Sequence, residues 1–213
     1  MFGARARIVP IELTKRGEPT SAIRTRLAAA DLVFFTGGDV GRGMALIDDR
    51  DLAPYLRELA AAGKPMEGIS AGAILLGRHW IRFPARREPE RFACLGIVPA
   101  SFDTHGEADG WSELSELARR TNDEPEVYGI PSHGCARWNG MTLRALGEPL
   151  ARFRCGDDAR RIADARSLRL PRHIAATHVT PPGSRPRAPR SSPRTRARDR
   201  ARRAARAVRR ATR

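Results

Sequence analysis

The sequence predicts an α/β fold built on a doubly wound, mostly parallel sheet. Residues 31–35 form a compact apolar run of the kind found in buried parallel strands, and Gly37-Gly38 follow closely. Residues 51–62 place apolar side chains at helical spacing, and a second strand begins near Met66. Alternation of strand, glycine loop and helix is typical of such sheets. Right-handed crossovers would bring the glycine loops to the same carboxyl edge.

Weaker patterns assign the remaining elements. Two further helices are expected over residues 20–30 and 111–119. Short strands are expected over residues 7–13, 95–99, 127–130, 142–146 and 150–153, of which the last two would pair as a hairpin. Residues 78–90 are rich in Arg and Pro and are expected to form a loop.

The positive charge of the chain is concentrated at its carboxyl end. The 213 residues include 39 Lys and Arg against 24 Asp and Glu. Residues 181–213 hold 13 of the arginines and a single acid, Asp199, so the rest of the chain is nearly neutral. Apolar spacing fades after Gly156. We therefore expect one α/β domain over residues 1–156 and a disordered Arg/Pro/Ala-rich tail over residues 157–213.

The tail raises the question of a nucleic-acid partner. Arginine runs bind nucleic acid without base preference, because they neutralise phosphates. Such a run is more often a solvated extension. Binding through residues 181–213 is thus the weaker of the two expectations, and it would be nonspecific.

Cysteine usage and hydropathy indicate a reduced, cytoplasmic protein. Cys94, Cys135 and Cys155 are odd in number and lack the spacing of a metal site. The N-terminus has no apolar run of the signal-peptide type. No stretch approaches the roughly 18 consecutive apolar residues of a membrane span. The sequence does not indicate an oligomeric state.

Residues 68–72 carry the motif with the clearest chemistry. Gly68-Ile69-Ser70-Ala71-Gly72 fits G-x-S-x-G, a sharp strand-to-helix turn that exposes a nucleophilic serine. The glycines would let strand and helix approach closely, and the N–H of Ala71 would point towards an oxyanion. A plain loop leading into a buried helix is the alternative. Asp39, after the first glycine loop, is expected to cap the following turn.

Ser70 needs a general base, and two histidines compete for that role. His105 and His133 each follow a predicted strand, in a loop that could present a base. Their spacing favours His105 only slightly. An ordinary surface histidine is the alternative for either.

Three motifs together resemble the dipeptidase E / cyanophycinase family of serine peptidases. They are residues 35–39 (Phe-Thr-Gly-Gly-Asp), residues 68–73 (Gly-Ile-Ser-Ala-Gly-Ala) and residues 103–105 (Asp-Thr-His). The resemblance covers roughly residues 8–154. It implies a flavodoxin-like fold similar to class I glutamine amidotransferases, and peptide substrates, among them aspartyl peptides, hydrolysed without metal or cofactor. It further implies that Ser70 is the nucleophile, that His105 is its base, and that Gly38 and Ala71 form the oxyanion hole.

The chain departs from the family pattern at three points, one of which is that the Arg-rich tail has no counterpart in the family. Only 35 residues precede Thr36, so the N-terminal strand of the family's sheet is expected to be missing. Residues 129–134, where the family places its triad acid, contain no carboxylate. Glu107, Asp109 and Glu67 are the possible substitutes. These departures leave two alternatives open: a catalytically impaired domain that binds a small ligand or partner, and a basic accessory protein that acts through its tail.

Overall fold

The computed structural model describes residues 6–14, 18–85 and 87–170. These residues form five helices and eleven strands. The helices are α1 (Thr20–Ala29), α2 (Val40–Asp49), α3 (Ala53–Ala61), α4 (Ala71–Leu76) and α5 (Ser112–Arg119). The strands are β1 (Val33–Phe35), β2 (Met66–Gly68), β3 (His79–Arg82), β4 (Glu90–Ala93), β5 (Phe102–Thr104), β6 (Glu126–Ile130), β7 (Gly134–Trp138), β8 (Thr142–Gly147), β9 (Leu150–Arg154), β10 (Arg160–Ala165) and β11 (Ser167–Arg169).

The strands that flank the glycine motifs are parallel. β1 pairs with β2 so that Phe35 lies opposite Gly68. β5 pairs with β6 so that Thr104 lies opposite Ile130. The carboxyl ends of paired parallel strands lie side by side, so each pair brings two loops together. The predicted α/β class is confirmed by this mixture of helices and sheets.

Most of the other pairing differs from the prediction of a mostly parallel sheet. Among the described residues, β1–β2 and β5–β6 are the parallel pairs, and five further pairs are antiparallel. The order β10-β9-β6-β5 extends the β5–β6 pair, while β11-β8-β7 and β3-β4 form separate sheets. The predicted hairpin of residues 142–153 is wrong, since β8 pairs with β7 and β11 whereas β9 pairs with β6 and β10.

Several local predictions are confirmed, and others are corrected. Helices α1, α3 and α5 and strands β1, β2 and β6 lie where the patterns placed them. The strands predicted over residues 7–13 and 95–99 are wrong, because neither segment has strand structure. The loop predicted over residues 78–90 instead contains β3 and the start of β4, which pair edge to edge.

Helix α2 was not predicted, because two glycines lower its helix propensity. Its buried residues Val40, Met44 and Ile47 nevertheless follow helical spacing. A Cβ atom on Gly43 would lie 3.2 Å from Leu75 Cδ1, so α2 and α4 pack closely at this point. The expected capping role of Asp39 is confirmed: its Oδ1 accepts a hydrogen bond from the Arg42 backbone N–H at 2.6 Å.

The predicted start of the tail, at residue 157, is too early, because two strands follow it. β10 pairs with β9, with a register shift between Ile162 and Ala165, and β11 pairs with β8; both pairs are antiparallel. These strands expose most of their side chains, which explains why their composition resembles that of a tail. The arginine-rich segment over residues 181–213 lies outside the described residues.

Three apolar clusters support the fold. The first joins α1, α2, α3 and α4 around β1. The second surrounds α5 and includes Trp111, Val127 and Phe153. The third lies beneath β8 and includes Phe102 and Tyr128. No described helix is long and apolar enough to cross a membrane.

A buried ion network joins β3 to the segment before β6. Glu124 is 5% exposed and accepts a hydrogen bond from Ser101 Oγ at 2.6 Å. Its Oε1 lies 2.9 Å from His79 Nδ1 and 3.6 Å from Arg78 Nη1. Arg78 also pairs with Asp123 at 3.0 Å. A buried ion pair with one partner removed leaves an uncompensated charge, which is strongly destabilising.

We expect Glu124→Ala to lower the free energy of unfolding by about 3 kcal/mol, because Arg78 loses a buried partner. Urea denaturation measures the change. Glu88→Ala is the matched control: that side chain is 89% exposed and pairs with Arg120 at the surface, so its loss should cost under about 1 kcal/mol. Equal losses in the two variants would show that the Glu124 network does not stabilise the fold.

Candidate active site

Ser70 lies in a strained turn between β2 and α4. Its backbone has φ 53° and ψ −125°, and it occupies the N-cap position of α4. A positive φ is unfavourable for a residue with a Cβ atom and costs about 1–3 kcal/mol, and such strain clusters at functional sites. The turn is fixed to β1 by a hydrogen bond from the Ile69 N–H to the Phe35 carbonyl, at 3.1 Å. Ser70 thus lies in a strained strand-to-helix turn that is tied to β1.

The two glycines of the motif are required by backbone contacts. A Cβ atom on Gly68 would lie 2.2 Å from the carbonyl oxygen of Gly72. A Cβ atom on Gly72 would lie 2.2 Å from the carbonyl oxygen of Phe35. Because both obstacles are backbone atoms, a change of side-chain rotamer cannot relieve them. Strand and helix therefore approach as closely as the sequence motif predicts.

The four predicted site residues line one cleft of about 180 Å³. Ser70 and Ala71 come from the turn between β2 and α4, Gly38 from the loop after β1, and His105 from the loop after β5. The other lining residues are Asp39, Val40, Ile74, Trp80, Asp103, Thr104 and Glu113. Of the residues that line the cleft, one is a histidine, His105. His79 instead contacts Glu124 in the buried ion network.

His105 is held by contacts to the end of β6. Its backbone, at φ 63°, donates a hydrogen bond to the Ile130 carbonyl at 3.3 Å. Its ring Nδ1 lies 3.3 Å from Ser132 Oγ. Ser132 in turn contacts Glu107, whose carboxylate accepts from the Ser132 backbone N–H and lies 3.4 Å from Ser132 Oγ. The Ser132 N–H is the main reason that the pKa of Glu107 is lowered.

Two carboxyl groups of the cleft are shifted in the opposite direction. Asp103 is 5% exposed, and burial raises its pKa to about 7, although the Thr104 N–H donates to its Oδ1 at 2.7 Å. Burial also raises the pKa of Glu113. Perturbed carboxyl groups beside a strained serine are typical of functional sites.

A second cluster of titratable groups resembles a metal site but lies in the buried network. Ligand atoms of His79, Asp123 and Glu124 lie within 4.8 Å of one another. The guanidinium groups of Arg78 and Arg91 already pair with Asp123. A divalent cation would have to displace these charges, so the cluster fits an ion network better than a metal site.

The sequence did not single out Trp80, Glu113 or Ser132. Trp80 lies on a strand that was predicted as loop, and Glu113 is the acidic residue in the first turn of α5. Ser132 follows β6, within residues 129–134, where the family pattern would place a carboxylate. Its contact with His105 depends on the parallel register of β5 and β6, which no local pattern encodes.

Comparisons with known proteins agree with these motifs. Residues 2–146 match the family model described as Peptidase family S51. Peptidase E of Shewanella amazonensis is 29% identical over 150 residues, which cover 65% of this chain and 62% of that protein. Cyanophycinase of Trichormus variabilis is 31% identical over 87 residues, or 38% of this chain and 29% of that protein.

A solved structure shares the fold. The crystal structure of a peptidase from an acI-B1 Actinobacterium superposes with a TM-score of 0.54 at 18% sequence identity. The match covers 71% of this chain and 64% of that one. The chain thus spans less than two thirds of the length of each of these three proteins.

We expect the contribution of Asp103 to the free energy of unfolding to decline as the pH rises from about 4 to about 7. Its pKa of about 7 in the folded state exceeds the ordinary value, so the folded protein binds this proton more tightly than the unfolded chain. This contribution is complete below the ordinary pKa and is lost as the pH rises through about 7. Asp103→Asn should remove up to about 4 kcal/mol of that decline.

Urea denaturation of wild type and Asp103→Asn across this pH range measures the difference. Asp31→Asn is the control, because Asp31 is exposed and does not line the cleft. The control should keep the decline. Parallel curves for wild type and Asp103→Asn would contradict the shifted pKa.

Proposed function

This chain belongs to peptidase family S51, and from that premise we propose that it is a serine peptidase with Ser70 as its nucleophile. The observation that carries the proposal is the strained turn of Ser70, at φ 53°, in a cleft that it shares with His105. A serine hydroxyl is a weak nucleophile on its own and requires a base. The cleft supplies one from a different parallel strand pair.

In the proposed reaction His105 accepts the proton of Ser70 while Oγ attacks the carbonyl carbon of a peptide bond. The resulting oxyanion is bound by the backbone N–H groups of Gly38 and Ala71, which line the same cleft. His105 then gives the proton to the leaving amine. Water, deprotonated by His105, hydrolyses the acyl-enzyme and releases Ser70.

Glycine geometry supports the assignment of the oxyanion donors. Gly38 has φ 140°, a backbone conformation that other residues rarely adopt. The site that a Cβ atom would occupy on the preceding Gly37 is 3.4 Å from Ser70 Cβ. The loop after β1 is therefore in contact with the elbow, as an oxyanion hole built from two loops requires.

The proposed substrates are peptides, with aspartyl peptides as the first class to test. The matched relatives are named Peptidase E and cyanophycinase. The proposal extends to the architecture: β1, β2 and the helices around them form the core of a doubly wound, flavodoxin-like sheet of the class I glutamine amidotransferase type. The close contact of α4 with β1 and β2 supports that arrangement.

A second candidate function is ligand binding without turnover. It is favoured by one observation: the polar contact of the His105 ring in the described structure is the hydroxyl of Ser132, where a triad would have a carboxylate. Loss of the orienting acid can lower turnover about 10⁴-fold while the cleft stays intact. Covalent labelling of Ser70 distinguishes the two candidates.

We expect a fluorophosphonate probe to label wild-type protein on Ser70, with mass mapping of the modified peptide as the readout. Ser70→Ala should abolish labelling because the nucleophile is gone, and His105→Ala should reduce it at least about 100-fold because the base is gone. His133→Ala and Ser115→Ala are the matched controls and should label normally. Wild-type labelling no faster than that of Ser70→Ala would refute the hydrolase, and loss in His133→Ala instead would transfer the role of base.

A further inference from the structure

The ring of His105 lies close to a hydroxyl group that also contacts a carboxylate. The ring Nδ1 faces Ser132 Oγ at 3.3 Å, and the other neighbour of that hydroxyl is Glu107 Oε2, at 3.4 Å. Glu107 is only two residues from His105, so the carboxylate and the imidazole belong to one loop. Ser132 belongs to the next loop, after β6. The hydroxyl lies between the ring and the carboxylate.

The position of Ser132 is fixed by its backbone as well as its side chain. Its N–H donates to Glu107 Oε1, so the carboxylate contacts Ser132 through both of its oxygens. The two loops meet because Thr104 lies opposite Ile130 in the parallel β5–β6 pair. The loop that carries His105 packs against the buried Trp111, since a Cβ atom on Gly106 would lie 2.6 Å from the Trp111 ring.

We propose that Ser132 is a positioning residue that couples Glu107 to His105, in place of a carboxylate that contacts the histidine directly. The proposal rests on the proposed serine-peptidase function. It gives this chain a four-residue arrangement of Ser70, His105, Ser132 and Glu107. The hydroxyl at position 132 and the carboxylate at position 107 together would do the work of the family's triad acid.

The hydrogen-bond directions are fixed by the chemistry of each group. Glu107 is ionised and can only accept, so Ser132 Oγ–H donates to it. Ser132 Oγ then accepts from the His105 Nδ1–H. This leaves the Nε2 lone pair of His105 free to accept the Ser70 proton. When the imidazolium forms, its positive charge faces the Glu107 carboxylate across one hydroxyl group, and no proton has to pass along the chain.

The ionisation state of Glu107 agrees with this direction of donation. Its pKa is lowered, first by the Ser132 N–H and in smaller part by the charge of His105. The carboxylate is therefore negative throughout the neutral range. Glu107 and His105 are both exposed, so water screens the interaction between their charges. We call the contact of Glu107 with His105 through the Ser132 hydroxyl the bridge, and we expect it to orient the His105 ring more than to stabilise its positive charge.

A first experiment measures the tautomer of His105 without any reference to turnover. Long-range ¹H–¹⁵N spectra of full-length protein, assigned with His105→Gln, report which ring nitrogen carries the proton at a pH where the ring is neutral. The Nδ1–H tautomer should dominate in wild type and in Ser132→Thr, which keeps the hydroxyl. Ser132→Ala should shift the population towards Nε2–H. An unchanged population in Ser132→Ala would overturn the proposal.

A second experiment measures the rate of fluorophosphonate labelling of Ser70. Ser132→Ala should slow labelling about 10- to 100-fold, the usual effect of removing a group that orients a functional histidine. Glu107→Gln should slow it less. Ser132→Glu, which places a carboxylate directly against Nδ1, should restore wild-type labelling in the Glu107→Gln background. Ser112→Ala is the matched control, because its hydroxyl also binds a carboxylate, that of Asp109.

The two experiments separate this proposal from the proposed function. A tautomer shift in Ser132→Ala, with no labelling of wild type, would support the bridge and refute the peptidase. Labelling of wild type that Ser132→Ala does not slow, with an unchanged tautomer, would support the peptidase and overturn the bridge. Slowing by Ser112→Ala equal to that by Ser132→Ala would also overturn it, since the effect would then not be specific to the His105 contact.

Discussion

The close approach of α4 to the ends of β1 and β2 is the constraint on which the site depends. The backbone of Gly72 touches the Phe35 carbonyl, and the backbone of Gly68 touches that of Gly72, with no space for a Cβ atom at either glycine. These contacts join main chain to main chain, so they set the path of the turn between them. Ser70 takes its strained φ of 53° from that path and lies beside the Gly37-Gly38 loop as a result. The strain is a local cost of about 1–3 kcal/mol, offset by the buried core of α2, α3 and α4.

Helix α4 also connects the turn at Ser70 to the part of the chain that leads to His105. At the end of α4, a Cβ atom on Gly77 would lie 2.8 Å from the Ala100 carbonyl, and the Arg78 N–H donates to that carbonyl at 2.9 Å. Ala100 lies two residues before the start of β5. A helix of six residues thus begins directly after Ser70, and the residues at its other end contact the segment that leads to His105. This explains how two parallel strand pairs, separate in their hydrogen bonding, contribute to one cleft.

The sequence predicted those features that local chemistry determines. The glycine pattern at residues 68–72 and the apolar spacing of α1, α3 and α5 depend on residues that are close in the sequence, so these features could be predicted. Helix α2 was not predicted because Gly41 and Gly43 weaken the helical pattern. Gly43 packs against Leu75, which leaves little space for a larger side chain at that position. The pairing of β8 with β7 and β11, and the contact of Ser132 with His105, depend on tertiary register. Single-sequence patterns cannot supply register, so Glu107 could be named as a candidate acid from the sequence whereas its contact with Ser132 could not be predicted.

The most direct test of this account is the reactivity of Ser70 in Gly72→Ala. The added methyl group must push α4 away from the Phe35 carbonyl, so fluorophosphonate labelling of Ser70 should fall at least about 100-fold while circular dichroism shows a folded protein. Gly41→Ala is the matched control, because its methyl group would meet Asp39 Oδ1 at an ordinary 3.5 Å. Wild-type labelling in a folded Gly72→Ala protein would contradict the claim that this backbone contact holds the nucleophile in its reactive position.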